Sequence, residues 1–263
     1  MYNNELINEI QKKCISDTVP FPNVAIKNTL PLHLVEEIEK DFISFKKFDE
    51  GDPNFRYGTC KYSCRNRTIM PKSIVDVINF FYSKNFLVFL EKNFKLTNLI
   101  PDWNLWGAGM HNNVRGNFLK VHSDFIYQRG KNTRRVLNLL FYVNSNWKDE
   151  WGGHIELWDK KMNNKVKSLL PLINNTLIFR TDKDSNHGFP DKLLCPSNVS
   201  RKSIALYYFV EEKRLFPINI KKRKYYTTVW KKRPGIDEPE FMDQDNLWRK
   251  IKYKFLPRIF LKR

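Results

Sequence analysis

The chain has 263 residues, 41% hydrophobic and 14% aromatic, which is enough apolar material for a packed core and excludes a disordered or collagen-like chain. Lys and Arg number 46 against 28 Asp and Glu, a formal charge of +18, which directs attention to anionic partners without naming one. The start MYNNELINEIQKK is polar and no apolar run approaches the roughly 18 residues of a membrane span, so a cytoplasmic protein is expected.

In chain order, residues 21–28 read as a short extended segment. Pro31 suits a helix first turn, and Leu34, Val35, Ile38, Phe42 and Phe45 recur at helical spacing, which predicts a helix over about 31–46. Residues 49–72 show no periodicity. From Ser73 onward Ile74, Val75, Ile78, Phe81, Leu87, Phe89, Leu90 and Phe94 predict one or two further helices, so the segment 21–100 reads as mostly helical. After Pro101 the pattern changes to short β-branched and aromatic runs at 117–121, Val136–Val143, Ile155–Trp158, Leu177–Phe179 and Ser203–Val210, separated by Gly, Asn, Asp and Pro. Such runs predict a jelly-roll-like double sheet as the core over 101–212. One domain over 1–235 and a basic C-terminal extension over 236–263 complete the expected organisation. Cys14, Cys60, Cys64 and Cys195 form no CxxC pair and read as reduced thiols, with a metal role for Cys60 and Cys64 the lesser alternative.

His122 and Asp124 end the run 117–121 in the order His-Ser-Asp, and His187 follows 63 residues after the aspartate. Strand alternation puts residues i and i+2 on one face, so His122 and Asp124 can hold one ion, and two imidazoles with a carboxylate make the facial triad that suits Fe(II). Read alone the pattern is weak, and a surface histidine with a turn histidine explains it better. Fourteen residues after His187 comes Arg201, which shares a strand face with Ser203; Asn138 and Tyr142 share a face of the 136–143 run. A guanidinium fork, a hydroxyl, a phenol and an amide can converge on a carboxylate, whereas a surface salt bridge is the ordinary fate of an arginine.

The successions Asp102 to His111, Gly116 to Phe125, Asn138 to Trp147, Trp151 to Trp158, His187 to Pro190, Cys195-Pro196 and Arg201 to Tyr208 resemble the prolyl-4-hydroxylase-like oxygenases that depend on Fe(II) and 2-oxoglutarate, over roughly residues 20–235. The resemblance implies an α+β chain with a mainly β core, a double-stranded β-helix with N-terminal helices packed on one sheet. It implies that His122, Asp124 and His187 bind iron and act in catalysis, and that Arg201 holds the distal carboxylate of 2-oxoglutarate with Tyr142, Ser203 and Asn138 nearby. The implied reaction consumes O2 and 2-oxoglutarate, with ascorbate as a supporting reductant, releases succinate and CO2, and hydroxylates an unactivated C–H bond. Many prolyl hydroxylases carry lysine as the anchor, so Arg201 points to another branch and leaves the substrate open: small molecule, glycan precursor or protein. A nucleic-acid demethylase of the same superfamily is the second reading, although the second arginine of those enzymes, six residues after the anchor, is Tyr207 here. A non-catalytic jelly-roll binding protein is the third.

For substrate contact the loop Gln128 to Arg135 stands out, with four positive charges including Arg129 and Lys131, and an anionic substrate is its functional reading against a merely solvated basic loop. Trp158 is a further candidate, and His111 reads as a structural hydrogen-bonding residue. The last 53 residues carry half of the net charge. Lys221–Lys224 and Lys231–Arg233, with Tyr225, Tyr226 and Trp230 between them, suit phosphates, or an anionic membrane surface together with Phe255, Leu256, Ile259, Phe260 and Leu261, or packing against the barrel.

Overall fold

The computed structural model describes residues 3–48, 62–127, 132–212 and 227–236. The expected helix over 31–46 is α2 (Leu32–Ser44), after α1 (Asn4–Lys13), and the apolar periodicity from Ser73 resolves into α3 (Lys72–Phe81) and α4 (Lys84–Phe94). Helix α1 escaped sequence reading because only Leu6 and Ile10 of it are buried; it starts where the Asn3 side chain accepts the Leu6 amide at 3.0 Å.

Two antiparallel sheets form the core. The larger runs in the order β1 (Cys14–Asp17), β2 (Asn23–Ile26), β10 (Thr176–Arg180), β7 (Thr133–Tyr142), β12 (Ser200–Glu211), β5 (Gly109–Val114) and β3 (Tyr62–Cys64), with β4 (Ile100–Pro101) also on β12. The smaller is β13 (Val229–Trp230), β6 (Leu119–Ser123), β11 (Asn186–Phe189), β8 (Ile155–Trp158) and β9 (Lys165–Leu169). This is the expected double sheet with helices on one face. Strand β11 carries the distal His187, as a chelating pair of strands requires, although Asn-His-Gly-Phe has no strand-forming run; its pairing depends on Gly188, where an added Cβ would come 2.7 Å from the Leu119 carbonyl oxygen.

Alternation divides the larger sheet between two jobs. Leu137, Leu139 and Phe141 of β7 and Ile204, Leu206 and Tyr208 of β12 pack in one cluster with Ile74, Ile78, Phe81, Phe86 and Leu90 of the helices. The Phe81 and Phe141 rings lie 5.7 Å apart, and the Tyr208 hydroxyl donates to the Phe81 carbonyl at 3.0 Å. The intervening residues Asn138, Leu140, Arg201, Ser203 and Tyr207 face the other way and line a cavity of about 190 Å³ between the sheets. Full burial of the helix-side residues fixes strand phase, since a slip by one would put Arg201 and Asn138 into that apolar layer. No single helix among the described residues is long and apolar enough to cross a membrane.

Candidate active site

The sheet register brings the two histidines together. His122 on β6 and His187 on β11 are directly opposed, with rings 4.5 Å apart, and Asp124 follows β6 at once. One ligand atom from each of the three lies within 4.8 Å of the others, and all three residues are buried. Each imidazole hydrogen-bonds through Nδ1 to a backbone carbonyl, His122 to Lys120 at 2.8 Å and His187 to Ser185 at 2.9 Å. A carbonyl only accepts, so Nδ1 carries the hydrogen and each Nε2 presents its lone pair. Nε2 of His122 is 3.5 Å, and of His187 3.4 Å, from the Asp124 carboxylate. Burial above all, with His122 adding to it against the pull of Asp124, pushes His187 down to about 4, so it is neutral at pH 7.

Asp124 is held from behind. Its Oδ2 accepts from Arg135 Nη2 at 2.9 Å and Asn138 Nδ2 at 2.7 Å, and Arg135 Nε donates to Asn138 Oδ1 at 2.7 Å. Burial opposes ionisation of Asp124, but Arg135 together with the two imidazoles outweighs it and keeps the carboxyl well below the usual range. Arg135 is 1% exposed and lies flat on Tyr207, 3.3 Å from the ring centroid, while the Tyr207 hydroxyl is tied to the Gly107 carbonyl at 2.7 Å. Two rings close over the histidines: Phe179, 4.7 Å from His187, and Trp230, 5.0 Å from His122.

At the other end of the cavity Arg201 is 3% exposed. Its Nε donates to the Gly153 carbonyl at 2.7 Å, its Nη2 reaches the Tyr142 hydroxyl at 3.4 Å, and its guanidinium stands 4.4 Å from the Phe189 ring. No carboxylate among the described residues pairs with it, and burial lowers its pKa. Burial likewise raises Tyr142, against the pull of Arg201. Ser203 lines the cavity one inward position along β12.

Three expectations change. Asn138 is turned toward Asp124 rather than toward Arg201, so its amide serves the metal end. Trp158 does not line the cavity: Ile155 and Leu157 of β8 pack inward, and alternation puts Trp158 on the opposite face, where Nε1 donates to Glu156 Oε2 at 2.9 Å. In the basic loop, Arg135 is the buried partner of Asp124 and Arg134 pairs with Glu212 at 3.1 Å, so two of the four charges are engaged within the protein. Arg129 and Lys131 lie outside the described residues, as do Lys221–Lys224, Cys60 and the extension beyond Ile236. The basic cluster Lys231–Arg233 is partly tied to the β core, with Lys231 N on the Val121 carbonyl at 2.8 Å and Arg233 on Asp191 at 2.7 Å. His111 faces the cavity from β5 opposite Ser203.

Residues 108–209 match the family model of the 2OG-Fe(II) oxygenase superfamily. Among solved structures, a Pseudomonas putida prolyl-4-hydroxylase aligns over 81% of this chain and 100% of its own, with a TM-score of 0.50 at 11% identity. HygX from Streptomyces hygroscopicus, solved with nickel and 2-oxoglutarate bound, aligns over 80% of this chain and 92% of its own, with a TM-score of 0.50 at 13% identity. Likeness at such identity shows the fold. No curated protein matches the sequence.

Proposed function

From the match of residues 108–209 to the family model of the 2OG-Fe(II) oxygenase superfamily, we propose that this chain is a prolyl-4-hydroxylase-like dioxygenase that hydroxylates an unactivated C–H bond of its substrate. One observation carries the reading: a single cavity has the His122, Asp124 and His187 cluster at one end and, at the other, a buried arginine that no carboxylate among the described residues pairs with. An unpaired buried cation is destabilising by several kcal/mol, a penalty that a bound carboxylate removes. The two ends suit the two functional ends of 2-oxoglutarate.

In this reading His122 Nε2, His187 Nε2 and Asp124 Oδ1 hold the iron, because Nδ1 of each ring and Oδ2 of the carboxylate are already committed to protein partners. The bound iron and 2-oxoglutarate supply the oxidative chemistry: dioxygen is consumed, the keto acid leaves as succinate and CO2, and one oxygen atom goes to the substrate. Arg201 anchors the distal carboxylate, with Tyr142 and Ser203 beside it, and so sets how far the keto acid reaches toward the metal. Arg135 and Asn138 keep Asp124 ionised and oriented, and Phe179 and Trp230 keep water from the imidazoles.

The substrate approaches past Phe125, Tyr207, Thr228 and Trp230, which line the cavity near Asp124. Arg135 is neutralised there by Asp124, so the group that meets the metal is uncharged, and any preference for an anionic substrate is assigned to Arg129 and Lys131. Peptides and small molecules both fit this description. Action in the cytoplasm, by one domain reaching to residue 235, belongs to the same proposal. Succinate release from 2-oxoglutarate under Fe(II) and oxygen, screened against peptide, sugar-nucleotide, lipid and oligonucleotide pools, tests the proposal. One pool should stimulate turnover. Absence of Fe(II)-dependent 2-oxoglutarate binding in calorimetry would instead support a binding protein.

A further inference from the structure

Asn113 on β5 is 2% exposed, and its Oδ1 is buried without a hydrogen-bond partner. Arg67, Asn112, Asn186 and Glu212 also bear a buried side-chain atom in that condition, but none of those residues lines the cavity, whereas Asn113 does. Leaving a buried amide oxygen unpaired is destabilising, because its desolvation is not offset by a hydrogen bond. Asn113 therefore resembles Arg201 in one respect: both are buried polar groups for which the protein itself supplies an incomplete set of partners.

The two are neighbours. Asn113 and Arg201 are directly opposed in the β5–β12 ladder, and both line the cavity. Opposed residues on one face have Cβ atoms about 4.5–5.5 Å apart, so amide and guanidinium flank the same small volume. With Oδ1 unpartnered, that end of the amide has no anchor, and rotation about the terminal torsion brings Nδ2, a donor, to face the cavity. A carboxylate has more lone pairs than one guanidinium fork occupies, so it accepts a further donor at this place.

We infer that Asn113 is a second binding residue for the distal carboxylate of 2-oxoglutarate, donating through Nδ2 to a carboxylate oxygen that Arg201 also attracts. The inference rests on the reading of the Arg201 end as a 2-oxoglutarate site. A lone buried arginine accepts many anions; a neutral amide beside it adds a donor with a fixed direction, and thereby selects a ligand whose carboxylate lies at the correct distance from the metal-chelating end.

Calorimetry without oxygen, on the full chain loaded with Mn(II), tests this with 2-oxoglutarate and with 2-oxopentanoate, which has the same chain length and no distal carboxylate. Asn113→Leu should bind 2-oxoglutarate about tenfold more weakly. Its affinity for Mn(II) and for 2-oxopentanoate should match wild type, and the melting temperature of the ligand-free protein should be equal or higher, because an unpaired polar group has been removed. Asn113→Asp should weaken 2-oxoglutarate binding further, by about a hundredfold, since the new carboxylate pairs with Arg201 and repels the ligand. Unchanged 2-oxoglutarate affinity in Asn113→Leu overturns the inference, and so does equal weakening of both keto acids. A lowered melting temperature with loss of Mn(II) binding in both variants assigns Asn113 a structural role and overturns it too. Failure of wild type itself to bind 2-oxoglutarate overturns the oxygenase reading beneath it, a result distinct from the others.

Discussion

At the His122–Asp124–His187 end of the cavity each buried charge meets an opposite charge or a hydrogen bond, whereas at the other end, among the described residues, the Arg201 guanidinium meets no carboxylate and the Asn113 Oδ1 no donor. Asp124 has Arg135 and Asn138 on Oδ2, and Arg135 has Asp124, Asn138 and the Tyr207 ring. Arg201 has only a carbonyl, a phenol and ring faces. The first arrangement is finished by folding and the second by a ligand. Rigid placement of a metal ligand calls for internal satisfaction, while affinity for an anion calls for a deficit that the protein does not fill by itself.

That contrast breaks most visibly on removal of one member of the satisfied end. Asp124→Ala leaves Arg135 buried and uncompensated, so stability measured by chemical denaturation should fall by about 3–5 kcal/mol, together with loss of metal binding and of succinate release. Full activity in that variant would sink the metal assignment. Arg201→Met is the mirror case: 2-oxoglutarate binding should weaken about a hundredfold, yet ligand-free stability should equal or exceed that of wild type, because a buried charge without a carboxylate partner is replaced by an apolar side chain of similar length. Destabilisation as large as that of Asp124→Ala would erase the difference between the two ends.

Gly153 sharpens the second half of the comparison. Its φ is +75°, and an added Cβ would stand 3.0 Å from Arg201 Cδ and 2.6 Å from Leu193 Cδ2. Gly153→Ala should therefore be less stable by about 1–2 kcal/mol and should bind 2-oxoglutarate several-fold more weakly while retaining Mn(II), as titration of the two ligands in turn would show.

Acid provides the mildest perturbation. The folded-state value of His187 is pushed down to about 4 from 6.5, so between those pH values the unfolded chain binds a proton that the folded chain does not. Ligand-free stability should accordingly fall as pH drops from 6.5 toward 4, and the depressed carboxyl of Asp124 extends the loss below its ordinary 3.8. Thermal melts across this range, compared with His187→Gln, should show a shallower pH dependence in the variant.

The pieces of this contrast differ in how readily the sequence disclosed them. The triad and Arg201 are legible because each has a side chain of distinctive chemistry at a recognisable spacing, and the apolar periodicity of α2, α3 and α4 announces itself. Arg135 is hidden by an irregularity of strand pairing: Tyr208 faces Leu137 but Phe209 faces Arg135, so Val136 is an extra residue in β7. That bulge changes the phase and lets Arg135 and Asn138, three apart, converge on one carboxylate. Asn113 belongs to Gly-Met-His-Asn-Asn-Val, a polar stretch whose strand character depends on its neighbours β3 and β12. The phase of Ile155–Trp158 is equally unreadable, because all four residues are buried and only packing shows that Trp158 faces away from the cavity.

Strand β13 pairs with β6 at His122 and Ser123 and brings Trp230 onto the imidazole, although 42 residues separate Trp230 from His187, the last residue of the candidate metal cluster.

 During synthesis all three ligands and Arg201 therefore leave the ribosome before the segment that covers His122. A chain stopped at Glu212 would hold every ligand yet leave the pairing edge of β6 bare and one face of the His122 ring open to water. Completion of the site thus requires completion of the chain to residue 230.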